Sequence, residues 1–173
     1  MTIEEQIKNY PIHNSMRGYF GFYLFKEMAQ NKDIFLLTGD LGYKLFDLHR
    51  VYFPDRFINC KAAEQAMLDM AVGLAYSNKI PVVYSITTFL IYRPFEVLRT
   101  YINHEKLSVK LAGSGRDNSY LHDGFSHDAS DVKEFLEPMS NIVTLWPNNK
   151  EDIEESTKEF INNGRPTFIS LLK

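Results

Sequence analysis

The sequence predicts an α/β domain of three layers, in which a mostly parallel six-stranded sheet lies between two layers of helices. Six short apolar runs alternate along the chain with longer segments of helical character. The apolar runs are continuous and do not alternate with polar residues, which is typical of parallel strands that are buried on both faces. A chain of 173 residues is also long enough for one such domain with a full core.

The first half of the chain is expected to contain three of the strands. Residues 1–13 are expected to form an N-terminal arm with a break at Pro11. Asn14 or Ser15 is a good N-cap for a helix that extends to about Ala29. The elements expected after it are a strand at 34–37, a short helical or irregular segment up to 54, a strand at 56–59, a helix at about 62–76 and a strand at 82–85.

The second half is expected to contain the other three strands. Its elements, in order, are a helix at 88–103, a strand at 108–112, a long polar loop at 113–127, a helix at 128–136, a strand at 141–147, an amphipathic helix at 149–162 and a strand at 166–172. The sequence contains no internal repeat and no low-complexity segment. Residues 14–173 are therefore predicted to form one domain.

Composition excludes several classes of protein. The net charge of -3 and the sequence pI of about 5.9 do not match the basic surface of a nucleic-acid-binding protein. The single cysteine, Cys60, excludes an intramolecular disulfide and fits a reducing compartment. The first residues lack the apolar run of a signal peptide, and no apolar run approaches the ~20 residues that span a bilayer. We therefore expect a cytoplasmic protein that does not bind membranes.

Glu64 is the most informative polar residue, because the helix around it is apolar at nearly every position and is predicted to be buried. An acid in the first turn of a helix commonly interacts with the helix dipole and the free backbone donors. The alternative is a carboxylate held in an apolar pocket to meet a cationic or proton-accepting ligand. Ligands of parallel sheets bind at the carboxyl ends of the strands, where Asp40, Glu64, Thr88 and the loop at 113–127 are expected.

Three segments give the chain a resemblance to a known family. The first is Ala63-Glu64-Gln65-Ala66-Met67, followed by Ala71-Val72-Gly73-Leu74-Ala75. The second extends from Tyr84 to Arg99, and the third is Asp123-Gly124-Phe125-Ser126-His127 with the later Pro138-Met139-Ser140-Asn141-Ile142. In this order and at this spacing, they resemble the pyrimidine-binding domain of the transketolase family of thiamine-diphosphate enzymes.

The resemblance implies roles around the cofactor. Glu64 would bond a ring nitrogen of the aminopyrimidine and favour the imino tautomer, which removes the proton from the thiazolium carbon. Phe89, Tyr92 and Phe95 match aromatic residues that pack around the aminopyrimidine, although aromatic residues at this spacing also form ordinary core. Asp40 matches an acid near the thiazolium, or it is simply a turn residue.

The resemblance also implies roles toward the substrate. His127 matches a histidine that faces the substrate and the reactive carbon, and Asp123 would bind substrate hydroxyls beside it. Arg17 matches an arginine that binds a substrate phosphate, and Lys173 falls where family members have a phosphate-binding arginine. The alternatives are a solvated loop histidine for His127 and an exposed helix charge for Arg17.

The sequence departs from the family in lacking the Gly-Asp-Gly motif that binds the diphosphate and a divalent metal. Gly39-Asp40-Leu41 is not that motif, and the chain stops at Leu172-Lys173, where the pyrimidine domain of the family ends. We therefore expect a separate partner subunit to bind the diphosphate together with Mg²⁺ or Ca²⁺, no metal ligands in this chain, and an assembly of two heterodimers into a heterotetramer.

The predicted function is that of a transketolase-like transferase subunit, which moves a ketol or acyl unit between sugar or oxo-acid substrates. The substrate is a small molecule, possibly a phosphorylated or nucleotide-linked sugar. Two alternatives stay open: a subunit of a thiamine-diphosphate-dependent 2-oxo-acid decarboxylase, and a non-catalytic regulatory subunit with the same fold.

Overall fold

The computed structural model describes residues 2–173 and confirms the predicted fold class. The six strands form one sheet in the order β2-β1-β3-β4-β6-β5, and every neighbouring pair is parallel. The strands are β1 (Ile34–Thr38), β2 (Phe57–Asn59), β3 (Ile80–Ile86), β4 (Lys110–Ser114), β5 (Val143–Leu145) and β6 (Thr167–Leu171). The helices are α1 (Ile3–Lys8), α2 (Met16–Gln30), α3 (Asp47–Tyr52), α4 (Glu64–Tyr76), α5 (Thr87–Tyr92), α6 (Phe95–Val97), α7 (Val132–Leu136) and α8 (Ile153–Asn162).

The core consists of two apolar clusters, one on each face of the sheet. The α2 and α8 helices supply Phe20, Leu24 and Phe160 to the first cluster, and α4 and α7 supply residues such as Met67 and Leu136 to the second. Successive strand residues enter opposite clusters: Leu36 and Leu37 in β1, Val82 and Val83 in β3, and Phe168 and Ile169 in β6. This alternation explains the continuous apolar runs, since both faces of each strand are covered.

The prediction that α4 is buried on nearly every side is wrong. Met67, Leu68 and Ala71 face the core, but Ala66 is exposed and Met70 is 44% exposed. Alanine is a strong helix former and is common both inside and outside proteins, so its presence does not indicate which side of a helix is buried. One side of α4 is therefore an exposed surface of small and apolar residues.

The predicted helix at 88–103 is interrupted in the structure. The α5 helix ends at Tyr92, and after Arg93 and Pro94 the chain continues as α6 and then as a π-helix, Leu98–His104. A proline inside a helix cannot donate the backbone hydrogen bond and its ring collides with the preceding turn, which accounts for the interruption. The helix expected at 128–136 is likewise shorter than predicted and begins only at Val132.

The first residues contact the domain rather than extending away from it. Thr2 and Glu5 form a capping box at the start of α1. The Tyr10 ring packs between Phe22 and Phe25 at 5.3 Å from each ring centroid. In residues 2–173, no helix combines the length and the apolar character needed to cross a lipid bilayer.

Candidate functional site

The carboxylate of Glu64 lies at the carboxyl edge of the sheet and is almost completely buried. Glu64 is the first residue of α4, and its side chain is 3% exposed. Its Oε1 accepts a hydrogen bond from Ser85 Oγ, on β3, at 3.2 Å. Gly39, just after β1, packs close to this pair, since a Cβ there would be 3.0 Å from Ser85 Oγ and 3.4 Å from Glu64 Oε1. The carboxylate thus accepts from side chains across the sheet edge.

Arg93 is the second partner of this carboxylate, and its role was not predicted from the sequence. Its Nη1 donates to Glu64 Oε2 at 2.7 Å, and its Cζ lies 3.6 Å from the centroid of the Phe89 ring. An arginine four residues after an aromatic residue on a helix is placed to stack on that ring, so the Phe89–Arg93 spacing was the available signal. The contact of Arg93 with Glu64 joins residues that are far apart in the chain, so no local sequence pattern indicates it.

Phe89 and His127 extend this arrangement. The His127 ring meets the Phe89 ring in an edge geometry, with centroids 4.8 Å apart. The loop that carries His127 is tied to α5, since Thr88 Oγ1 donates to the Ser126 carbonyl at 2.7 Å. Successive contacts therefore link Glu64 to Arg93, Arg93 to Phe89, and Phe89 to His127.

Tyr92 and Phe95, the other two aromatic residues of the predicted set, lie elsewhere. Both rings pack against Phe135 of the helix layer, at 4.9 and 5.4 Å between centroids. The Tyr92 hydroxyl donates to Asp131 Oδ1 at 2.5 Å, and burial, with this carboxylate, raises the pKa of Tyr92. Their aromatic partner is therefore Phe135, whereas that of Phe89 is His127.

Arg17 and Asp123 both line a cavity of about 310 Å³. Arg17 Nη1 donates to the Tyr120 hydroxyl at 2.7 Å. Lys173 Nζ lies 4.9 Å from the centroid of the Tyr120 ring, so two cations surround this tyrosine. Neither Tyr120 nor Ser114, which also lines the cavity, was predicted to be a site residue. His127 does not line it.

Asp40 is held by three neighbours at the ends of β1 and β2. Its Oδ1 accepts from Asn59 Nδ2 at 2.9 Å and from the Tyr43 hydroxyl at 3.1 Å, and Lys61 Nζ lies 3.5 Å away. The hydrogen bond from Asn59 is the main cause that lowers the pKa of Asp40. The backbone of Asp40 has a φ of 58°, in the left-handed region that aspartate tolerates in turns. In this arrangement the carboxylate joins two neighbouring loops.

Within residues 2–173, no group of three or more histidine, cysteine or acidic side chains is placed to bind a metal ion together.

Comparison with known proteins places these features in a family. The sequence profile described as the transketolase, pyrimidine binding domain matches residues 13–173. A protein of Methanocaldococcus jannaschii named as a putative transketolase C-terminal section is 28% identical over 161 residues, which cover 92% of this chain and 51% of that protein. One subunit of the apulose-4-phosphate transketolase of Actinobacillus succinogenes is 29% identical over 119 residues, which cover 69% of this chain and 38% of that protein.

A solved structure described as a split gene transketolase, inactive beta4 tetramer, has the same fold with a TM-score of 0.80. It is 26% identical in sequence, and the match covers 92% of this chain and 51% of that one. The chain thus spans about half the length, or less, of these relatives. Because the family profile matches almost the whole chain, this protein belongs to the transketolase pyrimidine-binding domain family.

Proposed function

We propose that the chain is the pyrimidine-domain subunit of a transketolase-like, thiamine-diphosphate-dependent transferase that is active only with a partner subunit. The observation that carries this proposal is the carboxylate of Glu64 at the carboxyl edge of the sheet, which is 3% exposed and is bonded to Arg93, whose guanidinium lies over the Phe89 ring. A buried carboxylate next to an aromatic face fits a flat heterocycle that has both a basic ring nitrogen and an apolar face.

The residues of this chain hold the pyrimidine end of the cofactor and the substrate. Glu64 holds a proton at a ring nitrogen of the aminopyrimidine, and Phe89 packs against the ring. Thiamine diphosphate, when bound, would supply a nucleophilic carbon for the carbonyl chemistry of the donor substrate. His127, whose ring lies 4.8 Å from the Phe89 ring between centroids and whose Nδ1 lies 3.0 Å from Ser126 Oγ, would act on an oxygen of the substrate. We assign Tyr92, Phe95 and Asp40 to the wider surroundings of the cofactor.

The substrate is proposed to carry a negatively charged end. Arg17 bonds the Tyr120 hydroxyl, Lys173 lies over the Tyr120 ring, and Arg17 lines the cavity that Asp123 also lines. Guanidinium and ammonium groups in such an arrangement suit a phosphate, and Asp123 suits the hydroxyls of a sugar. A phosphorylated or nucleotide-linked sugar meets both requirements.

The partner subunit is proposed to bind the diphosphate and its Mg²⁺ or Ca²⁺. The names of the three relatives support a divided enzyme, since they describe a C-terminal section, one subunit of a transketolase and a split gene product. The exposed side of α4 adjoins Glu64 and carries Met70, and Phe125, next to the His127 turn, is 87% exposed. Apolar side chains on both sides of the site suit a large interface, with two heterodimers forming a heterotetramer.

The test is a reconstitution experiment. This chain, the partner subunit, thiamine diphosphate and Mg²⁺ are mixed with a panel of phosphorylated sugars, nucleotide sugars and 2-oxo acids, and the products are identified by mass spectrometry. We expect transfer of a two-carbon or acyl unit only when both subunits are present. Release of CO₂ without an acceptor would instead support the decarboxylase, and no turnover with any donor would support the regulatory subunit.

Calorimetry on the isolated chain tests the division of the site. We expect negligible binding of thiamine diphosphate, because the diphosphate contributes most of the charge that is recognised. Tight one-to-one binding to the chain alone would refute the proposal that a partner subunit binds the diphosphate.

A further inference from the structure

The guanidinium of Arg93 covers the two groups of this chain that the proposed cofactor ring needs. Its Nη1 lies 2.7 Å from Glu64 Oε2, and its Cζ lies 3.6 Å from the centroid of the Phe89 ring. A guanidinium is flat, carries N–H donors along its edge and stacks on aromatic faces. It therefore uses its edge for the carboxylate and its face for the phenyl ring.

An aminopyrimidine would make the same two contacts. In the proposed function, its ring nitrogen bonds Glu64 and its face packs on Phe89. Two flat groups cannot occupy the same side of one phenyl ring at van der Waals distance, and the His127 ring already lies against Phe89 at 4.8 Å between centroids. The guanidinium and the aminopyrimidine consequently exclude each other.

We propose that Arg93 is a built-in competitor of the cofactor, which occupies the aminopyrimidine position and must withdraw before that ring reaches Glu64. This inference rests on the proposed function, because it takes the ring position from there. The Arg93 side chain is 46% exposed, so its guanidinium can move into solvent when it releases Glu64. Arg93 directly precedes Pro94, at the point where α5 ends.

The competitor also has a use before the ring binds. Removing the partner of a buried carboxylate leaves an uncompensated charge, which is strongly unfavourable in a folded protein. Arg93 neutralises Glu64, whose other hydrogen bond comes from the neutral Ser85 hydroxyl. The ion pair thus stabilises the folded chain. Because it must break when the cofactor binds, it lowers the net affinity of the complex for thiamine diphosphate.

The first test measures affinity in the complex with the partner subunit, by titration calorimetry with thiamine diphosphate and Mg²⁺. Arg93→Gln removes the charge and the stacked guanidinium, so we expect binding on the order of tenfold tighter than wild type. Arg93→Lys keeps a positive charge without the flat face and should give a smaller gain. Arg99→Gln, at an exposed arginine of the following π-helix, is the matched control and should leave affinity unchanged.

Unchanged or weaker binding by a folded Arg93→Gln complex overturns the inference, because the arginine then does not oppose the ring. Glu64→Gln and Phe89→Ala in the same titration separate this outcome from failure of the proposed function. Both should weaken binding if the ring lies where we place it. If both bind as tightly as wild type, the proposed function fails and the inference fails with it.

The second test needs no variant, and so does not depend on the folding of Arg93→Gln. A crystal structure of the wild-type complex with thiamine diphosphate should show the Arg93 guanidinium away from the Phe89 ring and no longer bonded to Glu64. A structure in which Glu64 bonds the aminopyrimidine while Arg93 keeps both its present contacts would disprove the competition.

Discussion

Glu64 and Lys110 are two buried charged side chains at opposite edges of the same sheet. Glu64 lies at the carboxyl edge and pairs with Arg93, a second charge on a side chain that is 46% exposed. Lys110 begins β4 at the amino edge and is 0% exposed. Its Nζ donates to Asn163 Oδ1 at 2.7 Å and to the Arg165 carbonyl at 2.6 Å, both neutral acceptors.

The difference lies in how replaceable the partners are. Asn163 is itself fixed, because its Nδ2 donates to Thr167 Oγ1 at 2.9 Å and its Oδ1 accepts from the Arg165 amide at 3.0 Å. A network of backbone and amide groups within one short loop cannot open without distorting the loop. The partner of Glu64, in contrast, can swing into solvent. We infer that a buried charge with a movable partner is available for ligand binding, whereas one with fixed neutral partners supports the fold.

The largest effect is expected at the carboxyl edge. Glu64→Gln keeps the size and the burial of the side chain but removes the carboxylate that we propose to hold the ring proton. We expect turnover of the reconstituted complex to fall by roughly 10³-fold, in line with the loss of a group that acts on a proton. Steady-state kinetics with the best donor of the substrate panel measure the change, and circular dichroism checks that the sheet is intact.

Asp69→Asn is the matched control, since Asp69 is an exposed acid on the same helix. It should leave turnover close to wild type. Wild-type rates in Glu64→Gln would show that Glu64 has no function in turnover. It would then be an ordinary buried acid with an ion-pair partner, and would not differ in function from Lys110.

A smaller effect, on stability alone, is expected at the amino edge. Asn163→Leu takes one acceptor from the buried Lys110 ammonium and breaks the bonds to Thr167 and Arg165. Leaving a buried charged donor partly unsatisfied should lower the free energy of unfolding by about 3 kcal/mol. Chemical denaturation of the chain measures this loss.

Asn162→Leu is the control for this variant, because the neighbouring Asn162 is exposed. Its stability should stay within about 0.5 kcal/mol of wild type. Equal stabilities for the Asn162 and Asn163 variants would mean that the neutral network does not support the fold.

The two regions also differ in how far the sequence predicted them. The apolar runs indicated the sheet correctly, because a short, continuous apolar run fits few structures other than a strand that is buried on both faces. The position of Glu64 in the first turn after β2 placed it at the carboxyl edge, as found. Arg93 was missed because its contact with Glu64 joins residues 29 positions apart, and no local pattern records such a pair. The apolar pattern correctly predicted Lys110 to lie in a strand, but its acceptors lie 53 and 55 residues later in the chain.

The smallest effect is a pH dependence that belongs to Lys110. Burial lowers the pKa of this lysine from 10.5 to about 8 in the folded chain. Between these values the unfolded chain binds more protons than the folded one, so the free energy of unfolding rises with pH. The contribution of Lys110 is fully present above pH 10.5 and is lost as the pH falls through about 8. From pH 7.5 to 9.5, the rise should be about 2 kcal/mol, since one pKa unit corresponds to about 1.4 kcal/mol.

Lys110→Met isolates this contribution, because other groups titrate in the same range. Burial raises the pKa of the Cys60 thiol, which lowers stability as the pH rises and opposes the trend. The contribution of Cys60 is the same in wild type and Lys110→Met, so it cancels when the two unfolding free energies are subtracted. The unfolding free energy of wild type minus that of the variant should increase from pH 7.5 to 9.5. A difference that stays constant would mean that the Lys110 ammonium is as well stabilised by its two acceptors as by water. The folded chain would then hold this buried charge without a cost in stability, even though its partners are neutral.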